Sequence, residues 1–228
     1  MVKTERWFRH HKAGVAFLVL GWLIPWLIFV DLAENVWRNE GFVRDRALLA
    51  WLQAHRQTSL DAVAVVLSRL GGTVAMWAFC AGLMGGLLLA HRRWQAGLVA
   101  ASMAGTWLLH LGVKAMFERT RPEEWVQLVE EPPIPATVYS FPSGHAIAAA
   151  ALAAALTLML WPTRWRWLAL VVGILWAGGM GVARMYLGAH FASDVAAGWV
   201  GSIGWVMGVY MLFFRPAQQL QGWGQGLA

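Results

Sequence analysis

Six long apolar stretches constrain this chain more than any other feature of its sequence. They run over residues 13–30, 72–90, 94–113, 145–160, 167–183 and 196–214, and a helix needs about 20 such residues to cross the hydrocarbon core of a bilayer. The fourth and fifth are short by that measure and need a few flanking residues to complete a span. Together they leave no room for a second core. The expected fold is therefore all-α: a polytopic membrane protein, a six-transmembrane-helix bundle, with residues 1–228 forming a single domain.

Composition agrees. The chain is 59% hydrophobic and 13% charged, with a mean hydropathy of +0.52, where a soluble domain carries about 25% charged residues. The net charge of +6 resembles a nucleic-acid signal, but loop charge and attraction to anionic headgroups account for it in a membrane protein, so no nucleic-acid partner is expected. The lone Cys80 lies inside an apolar run, which excludes a disulfide framework and a CxxC metal pattern.

Lys3, Arg6, Arg9 and Lys12 precede the first stretch and give it the look of a signal peptide. Its apolar run exceeds the usual ~7–15 residues and no small-x-small site follows at Asp31-Leu32-Ala33-Glu34, so an uncleaved helix is expected. Six spans put both termini on one side. That side collects Lys3, Arg6, Arg9, Lys12, Arg92, Arg93, Arg164, Arg166 and Arg215 in short segments. The opposite side holds as many basic residues, but Lys114, Arg121 and Arg184 there have a separate use, and every acidic residue except Glu5 falls there. The short-loop form of the positive-inside rule then places both termini in the cytoplasm and the site at the outer face of the cytoplasmic (inner) membrane. Trp94, Trp161, Trp165 and Trp167 fall at the cytoplasmic helix ends, where an indole buries its ring and keeps its N–H wet. Ala146, Ala148–Ala151 and the Gly204-x-x-x-Gly208 pair let helices approach closely, a bundle-packing role in preference to a dimer interface.

Three segments lie on the outer side. Residues 31–71 carry Ala47, Leu48, Trp51 and Leu52, then Leu60, Val63, Leu67 and Leu70, at helical spacing. That pattern predicts one or two amphipathic helices among the headgroups, structural or shaping lipid entry, without a catalytic cluster. The second segment, residues 114–144, opens on Lys114 and Arg121-Pro122, passes an acidic, Pro-rich stretch at Glu130-Glu131-Pro132-Pro133, and closes on Pro142-Ser143-Gly144-His145. The third runs from Arg184 through His190 to Asp194. Singly, each residue has an ordinary reading: boundary arginines snorkel, and Pro-Ser-Gly starts many helices.

Together they suit phosphoryl chemistry. Pro142-Ser143-Gly144 opening the fourth span would aim backbone N–H groups and the positive helix end at an anion, and Gly144 lets a phosphate come close. Arg121 and Arg184 can grip phosphate oxygens in bidentate fashion, with Lys114 as a point charge. His190 and Asp194, four apart, share a face if helical. Asp194 could then accept the His190 Nδ1–H and leave Nε2 as a nucleophile. His145, from a different helix, suits a general acid.

Lys114-x6-Arg121-Pro122, Pro142-Ser143-Gly144-His145 and Arg184-x5-His190-x3-Asp194 resemble, in order and spacing, the three signature motifs of the type 2 phosphatidic acid phosphatase (PAP2) superfamily. The motif-bearing core covers about residues 110–214, and the layout resembles the family's membrane-bound branch; its soluble haloperoxidase branch does not fit six spans. The resemblance implies that His190 attacks phosphorus to form a phosphohistidine, that Asp194 orients it, and that His145 protonates the departing lipid oxygen. It implies that Lys114, Arg121, Ser143, Gly144 and Arg184 hold the phosphate, with no metal and no other cofactor. One position departs from the pattern: Ala183 stands where the family's third motif usually has Ser. If Ala183 weakens phosphate contacts, Ala183→Ser should raise kcat/KM.

The function expected is a membrane lipid phosphate or diphosphate phosphatase. Undecaprenyl diphosphate, phosphatidylglycerol phosphate, phosphatidate and lipid A phosphates are the substrate candidates, and the sequence sets no oligomeric state. A phosphotransferase that passes the group from His190 to a second lipid shares the first half-reaction. A transporter or lipid-phosphate binding protein would use the basic cluster alone and would not require His190, Asp194 and a second His.

Overall fold

The computed structural model describes residues 19–38, 42–122 and 139–214. The N-terminal basic residues, positions 13–18 of the first span, Glu130-Glu131-Pro132-Pro133, Arg215 and the 218–228 tail lie outside them. Among the described residues the structure is helical, with no strand.

A π-helical turn at Val19–Leu23 leads into α1 (Ile24–Trp37). The first helix thus continues past the expected end of its span, through Asp31 and Glu34. Asn35 Nδ2 donates to Asp31 O at 2.8 Å and Arg38 pairs with Glu34 one turn back, so these polar residues extend the helix. Two helices, α2 (Phe42–Ala54) and α3 (Thr58–Leu70), form the segment expected to be amphipathic. On α3 the large apolar side chains Leu60, Val63, Val66 and Leu70 are exposed, and Ala64 and Ser68, one turn apart, face inward. α3 and α4 (Thr73–Leu89) meet at a bend of 53°. α5 (Arg93–Phe117), α6 (Gly144–Leu160), α7 (Arg166–Tyr186) and α8 (Ala192–Val209) follow, with a second π-helical turn at Tyr210–Phe214.

Among the described residues four helices are long and apolar enough to cross a membrane: Val19–Trp37, α5, α7 and the Ala192–Leu212 helix. α4 reaches that standard only jointly with α3 as a bent pair, and α6 has 17 residues. α7 exposes Leu168, Val171, Val172, Ile174, Leu175 and Val182 along its length, as a helix that faces lipid does.

α6 is the centre of the bundle, packed against α5, α7 and α8, with α1 on α8, α3 on α7 and α4 on α5. Its Ala146, Ala149, Ala150 and Ala151 are buried in those contacts. Hydrogen bonds tie the layers: Ser202 Oγ to Ile147 O, Trp199 Nε1 to Ala177 O and Trp205 Nε1 to Ala101 O. The glycine pair of α8 is filled from within the chain. A Cβ on Gly204 would lie 2.9 Å from Trp26 Nε1, and one on Gly208 2.9 Å from Trp22 Nε1, which is the bundle-packing use expected of this motif.

Candidate active site

All three motifs arrive at one end of the bundle. α5 runs beyond the boundary expected at Val113, so Lys114 sits in its last turn as a buried helical residue, not in a loop. Glu118 ends the helix in the left-handed conformation (φ 46°), its N–H returning to Lys114 O at 3.2 Å. The chain then turns, and Arg119 O and Thr120 O accept from the backbone and hydroxyl of Ser140 at 2.7 and 3.1 Å. That clamp brings the second motif beside the first. Phe141, fully buried between the rings of Phe29 and Phe117, anchors it.

Ser143 is the N-cap of α6, in extended conformation. Its N–H donates to Asp194 O at 3.0 Å, tying the second motif to the third, while its buried Oγ has no hydrogen-bond partner. The first-turn N–H groups that a helix cannot satisfy internally open at this point. Gly144 follows with His110 against it: a Cβ there would fall 2.9 Å from His110 Cε1 and 3.0 Å from Nε2. His110, one turn before Lys114 on α5, is buried, and its Nδ1 has no hydrogen-bond partner.

The third motif is built on a helix stop. Arg184 lies in the last turn of α7, past the expected boundary at Ala183. The Gly188 N–H returns to Met185 O and the Ala189 N–H to Arg184 O, at 2.9 and 3.0 Å, with Gly188 at φ 72°. This paired closure needs a left-handed residue, which glycine adopts without strain. It folds His190 back over the end of α7. Arg121 Nη1 holds the turn by donating to Ala189 O at 3.2 Å, and Arg184 Nη1 donates to Ser68 Oγ of α3.

His190 and Asp194 do not share a helical face as expected. α8 starts at Ala192, so His190 precedes it and Asp194 occupies its first turn. The reason is capping: Asp194 Oδ2 accepts the N–H of the N-cap residue Phe191 at 2.9 Å. The pair still meet, with His190 Nδ1 3.5 Å from Asp194 Oδ2, and no hydrogen bond closes that gap. His190 is buried; that burial, then the charges of Arg121, Arg184, Lys114 and His145, push its imidazole well below the ordinary histidine range. Both causes favour the neutral imidazole, with a lone pair on one ring nitrogen, and the same cations attract an anion.

Ala183 is buried in an apolar cluster with Ala64, Tyr186 and Leu187, so a hydroxyl there would enter the contact between α7 and α3. The hydroxyl that does meet Arg184 comes from Ser68. Ser68 and Asp45 add contacts at the site to residues 31–71, the segment read from sequence as structural or shaping lipid entry. Asp45 and Leu49, one turn apart on α2, are both buried, and an acid in line with an apolar stripe is the signal that marks it. Arg119, concealed between the two basic positions of the first motif, donates from Nη1 to Asp194 Oδ1 at 2.6 Å. Among the described residues no group of three or more His, Cys, Asp or Glu forms a metal-binding cluster.

This geometry can bind a phosphoryl group between cations and a helix start and present an imidazole to it. A family model described as the PAP2 superfamily matches residues 95–218. Phosphatidylglycerophosphatase B of Bacillus subtilis (strain 168) is 26% identical over 177 residues, covering 75% of this chain and 84% of that protein. An undecaprenyl-diphosphatase of Sulfolobus acidocaldarius is 37% identical over 90 residues, 38% of this chain and 40% of its own length. The fold matches the crystal structure of a transmembrane PAP2 type phosphatidylglycerolphosphate phosphatase from Bacillus subtilis, with a TM-score of 0.74 and 24% identity over 85% of this chain and 97% of that one. Aquifex aeolicus LpxE matches at a TM-score of 0.58 with 23% identity, over 74% of this chain and 94% of that one. The family match spans more than half of the sequence and takes in all three motifs drawn together around His190, and the chain belongs to the PAP2 superfamily.

Proposed function

We propose that this protein is a membrane lipid phosphatase that works through a phosphohistidine on His190. The observation that carries the reading is the buried His190, its Nδ1 3.5 Å from Asp194 Oδ2, beside a helix start whose Ser143 hydroxyl has no partner. His190 Nδ1 is turned toward Asp194, which leaves Nε2 for attack on phosphorus. Substrate binding needs to shorten the 3.5 Å gap to Asp194, as catalytic hydrogen bonds tighten in the loaded site. His145 protonates the departing lipid oxygen and then helps water attack the phosphoenzyme. Lys114, Arg121, Ser143, Gly144 and Arg184 hold the phosphate and offset its growing charge. The mechanism uses no metal.

In this reading the chain crosses the inner membrane six times, α3–α4 and the short α6 each contributing one crossing, with both termini cytoplasmic and the site outward. The substrates named for the two curated relatives, a phosphatidylglycerophosphate and an undecaprenyl diphosphate, are the first two to assay, with phosphatidate and lipid A phosphate beside them. Purified protein should release phosphate from at least one. His190→Ala and His145→Ala should abolish release while the protein stays folded, and EDTA should leave activity intact. Near-normal turnover in either variant, or a strict Mg²⁺ requirement, contradicts the mechanism. Phosphate appearing on a second lipid instead of in solution would mark a phosphotransferase.

A further inference from the structure

We infer that Arg119 and Asp45 are positioning residues that set the catalytic carboxylate, so that helix α2 completes the active site. The inference rests on the role proposed for Asp194 above. Arg119 Nη1 donates to Asp194 Oδ1 at 2.6 Å and to Ser193 Oγ at 2.7 Å, and its Nη2 donates to Asp45 Oδ2 at 2.8 Å. Asp45 in turn accepts the Ser193 backbone N–H on Oδ1 at 3.0 Å and the Ser193 hydroxyl on Oδ2. The guanidinium lies 4.4 Å over the Phe191 ring. The side chains of Arg119, Asp45 and Asp194 are 7%, 6% and 0% exposed, so these contacts are made away from competing water.

The two oxygens of Asp194 thereby have separate duties. Oδ1 is taken by Arg119, and Oδ2 accepts from Phe191 and faces His190 Nδ1. Rotation of the carboxylate would break the Arg119 contact, so Arg119 fixes the direction in which Oδ2 points. Asp45 holds the far side of Arg119 and also the backbone next to Asp194. A planar guanidinium can bridge two carboxylates at once, and a lysine ammonium lacks that fork. Arg119 holds Asp194 directly and Asp45 on its other side, so its effect should pass through Asp194 to the nucleophile.

The test is a comparison of steady-state and single-turnover kinetics for Arg119→Lys, Arg119→Ala and Asp45→Asn in the full-length protein, with Arg121→Ala as the contrast and His190→Ala as the control. Misplacing a reacting group by about 1 Å can cost about 10²-fold in rate. kcat should fall by about that factor in both Arg119 variants and by about tenfold in Asp45→Asn, with KM within twofold of wild type. Arg121→Ala should raise KM. Added guanidinium should restore part of the kcat of Arg119→Ala, which a merely structural role would not give. Should Arg119→Ala fail to fold, the isosteric Asp45→Asn still reads the effect. An unchanged kcat in the folded variants, or a KM that rises as kcat falls, overturns the inference. Persisting turnover in His190→Ala would instead remove the mechanism on which it rests.

Discussion

A Cβ at position 144 would sit 2.9 Å from His110 Cε1, and with so close an approach Gly144→Ala must displace either the imidazole or the start of α6. Overpacking of this kind costs about 1–3 kcal/mol, and here it falls on the phosphate cradle. Gly144→Ala should lower kcat/KM by about tenfold or more, and His110→Ala in the same chain should recover part of it. No recovery in the double variant would show that the steric account is wrong. Ser68 and Ala183 make a second pair. Because Ser68 already supplies a hydroxyl to Arg184 and Ala183 is buried in apolar contact, the gain expected from Ala183→Ser gives way to a different result. Ser68→Ala should reduce kcat/KM severalfold, and Ala183→Ser should leave it level or lower it; a rise in Ala183→Ser contradicts this assignment. The His190 imidazole adds a pH signature. Burial and the surrounding cations hold it well below 6.5, so it loses its lone pair only when pH falls through that lowered value. The acid limb of kcat/KM should therefore lie well under the ordinary imidazole range. An acid limb centred on 6.5 would show that His190 titrates as a solvated histidine.

Among the described residues each apolar stretch is helical, four of them long and apolar enough to cross a membrane alone, and what could not be read was where the helices stop. Lys114 and Arg184 are charged, so they mark the end of an apolar count, yet both belong to the last helical turn. Both are buried, and Arg184 donates to Ser68 of another helix, a tertiary environment that a local count does not contain. The His190–Asp194 spacing was legible, but its cause was not: Asp194 caps the helix that His190 precedes. Arg119 and Asp45 escaped notice because their pairing spans 74 residues of sequence, and the acid in the apolar stripe of α2 points to no partner by itself. Gly188, by contrast, announces itself as glycine after a helix, and its φ of 72° sets the next prediction. A left-handed non-glycine residue costs about 1–2 kcal/mol, and the strain lies two residues from the nucleophile. Gly188→Ala should lower the melting temperature and reduce kcat more than it alters KM; a kcat equal to wild type would show that the turn does not position His190.

At the scale of the whole molecule, the exposed apolar face of α7 and the tryptophans at its far end frame the protein in a bilayer. Trp161 and Trp167 pack edge to face at 5.7 Å, and Arg164 and Arg166 lie 4.9 and 5.6 Å over the rings of Trp165 and Trp167. This cluster joins α6 to α7 at the end of the bundle opposite His190, as an interfacial belt requires. The orientation can be tested simply, since the one cysteine, Cys80, is fully buried. In a Cys80→Ser background, Gln57→Cys should react with an impermeant maleimide from outside intact cells and Thr163→Cys only after permeabilisation. The reverse pattern would place the site in the cytoplasm. The central claim is that phosphate passes through His190, and trapping the intermediate tests it most directly. Rapid acid-free quenching of the enzyme with a ³²P-labelled lipid phosphate, followed by peptide mapping, should find an alkali-stable, acid-labile label on His190 that is absent from His190→Ala. Burst release of phosphate with no labelled protein, or label on another residue, would contradict the account.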